Sequence, residues 1–183
     1  MSHICSTCVL PRIARMLTDR LRWLTAGVLV CCATAAHAHR PHVHGEAELN
    51  VGVEGNDLFV ELVAPAESLL GFERAPRDAT EQAQLQTVRE TLAAGAALFR
   101  GSSGCEPAAV AWEDPFGPDA AGPADGHADF VLRVSYTCTA PARSLEVGVF
   151  DAFPGVERIR AQFVTERSQG AATLRRDRTS LEW

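Results

Sequence analysis

The chain contains no lysine: all 17 of its basic residues are arginine. That pattern reads as the codon bias of a GC-rich genome rather than a functional preference. Basic charge is also in the minority, with 17 basic against 23 acidic residues and a net charge of −6. A nucleic acid held on a basic surface is therefore disfavoured. Catalytic signatures are missing as well. There is no GxSxG, HExxH, GxxxxGK[ST] or GxGxxG, so the common nucleophile, zinc-protease, phosphate and dinucleotide motifs are excluded. A hydrolase would need a Ser or Cys activated beside a histidine. Ser102 and Ser103 lie in a plausible loop, yet nothing local marks either one. The sequence predicts no enzyme.

What is present suffices for one globular domain. The 183 residues are 46% hydrophobic, enough for a real core and too short for two large domains. Leu, Val and Phe are too plentiful for a disordered chain.

Residues 1–38 read as a cleaved secretory leader. Arg12, Arg15, Arg20 and Arg22 form a basic stretch, Trp23 to Ala36 carries no charge, and Ala36-His37-Ala38 is an A-x-A cleavage sequence. Met16 would serve equally as a start. The apolar run is shorter than the roughly 20 residues of a spanning helix, which weighs against an uncleaved anchor. A lipoprotein site at Cys31 would need a small residue where Val30 stands. The expectation is export to the periplasm as a single domain, residues 39–183. From His39 onward the chain holds 13 Arg against 22 acidic residues, a charge of −9. Such acidity suits a cation or a basic protein surface.

The CxxC of Cys5 and Cys8 falls inside the leader and is assigned nothing. Cys105 and Cys138 remain. An even pair in an oxidising compartment reads as one disulfide, closing a loop of roughly 33 residues and worth about 3–4 kcal/mol. Two thiolate metal ligands are the competing use.

Along the mature chain, strands surround one helix. Ala47, Leu49, Val51 and Val53 alternate with Glu46, Glu48, Asn50 and Glu54, the pattern of a half-buried strand. Gly55-Asn56 is a hairpin turn, and Leu58, Val60 and Leu62 carry the return strand until Pro65. From Asp78 to Phe99, Leu85, Val88, Leu92 and Leu98 fit one helical stripe, with Thr80 or Asp78 as cap and Gly101 beyond its end. Val110–Trp112 suggests a short strand, and residues 114–126 a flexible loop. Phe130 to Cys138 alternates clearly; Leu145, Val147 and Val149 make another strand, Ile159, Ala161 and Phe163 a further one, and 171–174 a short closing one. The predicted class is α+β: an antiparallel β-sheet with one long helix and short connecting turns.

The histidines carry the sharpest chemical signal. His42, His44, Glu46 and Glu48 are spaced by two, so a strand aims them to one side. Neutral imidazole suits zinc, copper and nickel, and carboxylates can complete such a site or support it. His127 and Asp129 repeat the spacing at the start of the second long strand. The expected site is one zinc ion held by His42 and His44, with His127 and Asp129 added, which requires the two strand starts to be adjacent. The bland alternative is a solvated strand face for the glutamates and an unspecific terminal run for the histidines. Cleavage after Ala38 would also leave His39 an amine beside its imidazole, a chelate that favours copper. Pro41 has no amide proton, which opposes a square-planar site built on successive backbone amides.

These residues resemble a known family. His42-Val43-His44-Gly45-Glu46-Ala47-Glu48-Leu49-Asn50-Val51, with Glu54-Gly55-Asn56, is similar to the opening of the ZrgA-like periplasmic proteins, also called domain of unknown function 2796. Pro65-Ala66, Leu70 to Pro76, Phe153 to Glu157, and Gln169-Gly170-Ala171 continue the resemblance over nearly all the mature chain. It implies a zinc-binding periplasmic protein of zinc uptake, beside an outer-membrane transport system and without catalysis. The family usually has a His- and Asp-rich loop before its second long strand, whereas Asp114 to Asp129 keeps only His127 among Asp119, Asp125 and Asp129. Many members also carry a His where this chain has Arg74. Buffering of many zinc ions is thereby weakened, while one site near the N-terminal histidines survives.

Two function classes follow. One is a metal-binding accessory protein that receives or passes zinc; the other is a structural or interaction domain for a membrane transport partner, its metal role decayed.

Overall fold

Period-two alternation runs through most of the chain, and the alternating stretches are strands. The computed structural model describes residues 44–118 and 128–183. In chain order its elements are β1 (Glu46–Glu54), β2 (Asp57–Pro65), α1 (Ala66–Leu70), α2 (Ala79–Ala93), a 3-10 turn (Gly95–Leu98), β3 (Phe99–Gly101), β4 (Cys105–Glu113), β5 (Asp129–Cys138), β6 (Ser144–Val147), α3 (Val149–Ala152), β7 (Arg158–Thr165), β8 (Gln169–Leu174) and β9 (Ser180–Glu182). Six strands form one sheet in the order β4-β5-β2-β1-β7-β8, and three form another in the order β3-β6-β9.

The large sheet buries one face. Ala47, Leu49 and Val51 of β1 lie with Leu58, Val60 and Leu62 of β2 and Phe130, Leu132 and Val134 of β5. Leu85, Val88 and Leu92 of α2 join the same core, as do Leu145, Val147 and Leu181 of the smaller sheet. Each large side chain so buried contributes on the order of 1.5–3 kcal/mol relative to exposure. The opposite face is polar at its centre, where Arg133 and Asn50 both donate to the Glu61 carboxylate.

Two parts of the predicted class are corrected. The sheet is mixed, not antiparallel, because β7 lies parallel to β1, pairing Glu46 with Arg158 through Val53 with Thr165. Alternation fixes which face of a strand is buried but leaves its direction open, so Ile159 and Ala161 fit either way. The long helix from Asp78 to Phe99 does not form either; three short helices stand among the described residues, and the chain is mostly strand. Asp78 caps α2 by accepting from the Glu81 N–H at 2.9 Å, but the helix stops at Ala93. Gly95 then passes so close to β5 that a Cβ there would sit 2.6 Å from Leu132 Cδ1. Phe99 to Gly101 pairs with β6 instead of continuing the helix. The Tyr136 hydroxyl secures this exit by donating to the Ala96 carbonyl at 2.8 Å and lying 3.3 Å from that of Phe99. Tertiary pairing outweighs the apolar stripe that had suggested further turns.

Smaller differences have similar causes. Val149 belongs to α3 rather than to a strand. The short strand around Val110–Trp112 is a nine-residue edge strand, β4, whose exposure hides its period. The loop expected at 114–126 lies partly outside the described residues, from 119 on.

Candidate metal centre

Gly45 sets the entry to β1. Its φ of +73° is a left-handed turn that glycine adopts without steric cost. Its carbonyl accepts the N–H groups of both Glu157 and Arg158, at 2.8 and 3.0 Å. His44, just before this turn, is thus tied to the start of β7 by its neighbour's backbone.

The His44 ring is exposed, at 79% of its side-chain surface, and its Nδ1 lies 2.7 Å from Glu67 Oε2. The hydrogen bond to Glu67, then that residue's charge, raises the His44 pKa above 6.5, with a smaller contribution from Glu73. Glu67 comes from the first turn of α1, directly after β2. No spacing rule links residues 44 and 67; the sign of this partner in the sequence is only an acidic residue after Pro65, where β2 ends beside the start of β1.

Asp129 opens β5 opposite Pro65 of β2. The Ala66 N–H donates to the Ala128 carbonyl at 2.7 Å, so the start of β5 is fastened beside Glu67's own segment. β1 and β5 both run antiparallel to β2, and their starts consequently lie at one end of the sheet. The two strands are not neighbours, contrary to the expectation of adjacent starts: the end of β2 stands between them. At about 4.8 Å per strand, the two backbones are about 10 Å apart. His39, His42 and His127 lie outside the described residues. Among the described residues, no group of three or more His, Cys, Asp or Glu is arranged to hold a metal ion.

The two glutamates that share the His42–His44 spacing have other partners. Glu46 is nearly buried and pairs with Arg158 Nε at 2.9 Å and with Arg160 Nε. Glu48 accepts from Arg160 at 2.8 Å. The parallel register places Arg158 beside Glu46 and Arg160 beside Glu48. Guanidinium groups therefore stand against carboxylates that spacing alone would offer to a metal.

Cys105 and Cys138 are joined as a disulfide, facing each other across β4 and β5. That removes them as thiolate ligands and places them at the opposite end of β5 from Asp129.

No curated protein matches the chain. A family model described as ZrgA family zinc uptake protein matches residues 41–183, from just before His42 to the last residue of the sequence. The match speaks for zinc, lends no support to copper, and does not reach His39. With residues 41–183 covered, the chain belongs to the ZrgA family of zinc uptake proteins.

Proposed function

We propose that this protein is a periplasmic accessory of zinc uptake that binds the ion and passes it on, without catalysis of its own. The observation that carries the proposal is the convergence of two strand starts at one end of the sheet. His44 lies there already bonded to a carboxylate, and Asp129 opens the strand on the far side of β2. In this reading His42 and His44 supply the first two ligands, while His127 and Asp129 approach from β5. A backbone gap of about 10 Å is within the span of two histidine side chains meeting one ion at about 2.0–2.1 Å each. The disulfide, the acidity of residues 39–183 and the A-x-A sequence at Ala36-His37-Ala38 all support export before function.

An open position suits a carrier. Two or three protein ligands on an exposed rim leave room for a receiving group to join the ion before the donor lets go. A membrane transport component is the natural recipient. The second reading, an interaction domain with a decayed site, is favoured by the pairing of Glu46 and Glu48 with Arg158 and Arg160 rather than with a histidine. Equilibrium dialysis of residues 39–183 against zinc decides between them. We expect about one equivalent bound and loss of that binding in His42→Ala/His44→Ala. Absence of binding below millimolar zinc would leave the interaction domain.

A further inference from the structure

The contact between His44 and Glu67 determines more than proximity. An ionised carboxylate can only accept a hydrogen bond, so at 2.7 Å from Glu67 Oε2 the proton must reside on Nδ1 of His44. In the neutral ring the lone pair is then on Nε2, which is directed away from Glu67. Among the described residues, Glu67 is the ring's sole hydrogen-bond partner. Without it, an exposed histidine would rotate and exchange tautomers freely.

Glu67 is itself well held. The preceding residue, Ala66, is fully buried and its N–H is bonded to Ala128. The Glu67 carbonyl accepts the Gly71 N–H at 2.7 Å, which closes α1. Its side chain is only 29% exposed, against 79% for His44. Glu67 thus reaches His44 from an anchored backbone and a less exposed position, against a ring that stands mostly in solvent.

We infer that Glu67 is the positioning residue of the zinc site: it holds His44 as the Nδ1–H tautomer and turns Nε2 outward as the zinc-binding nitrogen. The inference rests on the proposal that His44 meets zinc, and it adds a residue that the spacing of histidines does not reveal. A carboxylate behind a ligating histidine typically changes metal affinity by about 10–100-fold, through ring orientation and greater basicity of the bound nitrogen.

The test uses residues 39–183 with two independent readouts. The first is nitrogen NMR of the His44 ring in metal-free protein above its titration range. The wild type should show the proton on Nδ1, and Glu67→Ala should move it toward Nε2, which an unconstrained histidine prefers. The second is zinc affinity by competition with a chromophoric chelator. Glu67→Ala should weaken binding by about 10–100-fold, Glu67→Gln by less because its amide oxygen still accepts from Nδ1–H, and His44→Ala by at least as much as Glu67→Ala. A wild-type proton on Nε2 overturns the inference. So does zinc affinity that falls in His44→Ala and stays unchanged in Glu67→Ala. Affinity equally lost in Glu67→Gln and Glu67→Ala, with His44→Ala unaffected, makes Glu67 itself the ligand and overturns the inference together with the role given to His44. Unchanged affinity in all three variants refutes the role of His44 in zinc binding, whereas the tautomer measurement still judges the pairing by itself.

Discussion

The two ends of the large sheet are secured by different forces. Where β5 ends, a covalent bond joins Cys138 to Cys105, the Cys138 N–H reaches Asn56, and Ser102 bridges to the backbone of Arg143 and Ser144. Where β5 begins, the fastening is ionic and partly exposed: Glu46 with Arg158 and Arg160, and His44 with Glu67. One end resists change in proton or metal concentration. The other includes His44, an exposed imidazole that answers to both. The fold is thus clamped at the end remote from the proposed ion, which frees the ion's end to be open and exchangeable.

The largest effect should come from the clamped end. Replacing Cys105 and Cys138 by serine is expected to lower stability by about 2–5 kcal/mol in urea unfolding, while zinc binding by the still-folded protein stays as it was. Joint loss of both would mean that the ends are not independent.

Tyr136→Phe removes the donor to the Ala96 carbonyl near the exit of α2 and should cost about 1–3 kcal/mol. Burial pushes the Tyr136 hydroxyl up to about 12 from 10.0. The neutral hydroxyl is therefore favoured by folding: this contribution is complete below pH 10.0 and lost as pH rises through about 12. Tyr136 is the sole tyrosine of the chain, so ultraviolet titration reads it directly. A transition near 10.0 in folded protein would refute its burial.

At the ionic end, Glu46→Gln strands two guanidiniums that are more than a third exposed. Water screens them, and the expected cost is about 1–2 kcal/mol, below that of a fully buried pair. Thermal unfolding should show it, with zinc stoichiometry unchanged, since Glu46 is committed to arginine.

The subtlest effect is on pH dependence. With its pKa raised by Glu67, His44 keeps its proton to higher pH, and zinc must compete with that proton. Zinc affinity should therefore start to fall, on acidification, above 6.5, and the midpoint should move down in Glu67→Gln. The sign for folding is opposite: the ion pair's contribution is full below 6.5 and disappears as pH rises through the raised value. Isothermal titration across this range would check both, and an unmoved midpoint in Glu67→Gln would separate His44 from the zinc step.

Much of this was legible in residue order. The hairpin at Gly55-Asn56, the strands of Ala47–Val53 and Phe130–Cys138, the Asp78 cap and the Cys105–Cys138 pair are local or compositional signals, and each survives in the structure. The parallel seam between β1 and β7 was not legible, since direction leaves no mark on alternation. The end of α2 at Ala93 depended on contact between Gly95 and Leu132, which no window around Gly95 contains. At the candidate site, the histidine spacing made Glu46 and Glu48 look as available as His44. Their arginines lie on β7, and Glu46 and Glu48 meet them only through the parallel pairing.

That seam also governs the order of events during folding. β1 and β2 are neighbours in the chain and can pair as soon as both exist, whereas the Glu48–Arg160 contact spans 112 positions. Pairing at such distance is slow, because the intervening chain must be organised before the contact is rewarded. Gly45, whose carbonyl waits for Glu157 and Arg158, fixes His44 only when that last step is complete. A chain arrested before Glu157 carries every proposed zinc ligand and lacks the backbone contacts that fix Gly45 beside His44, so on the proposed reading binding belongs to the finished molecule.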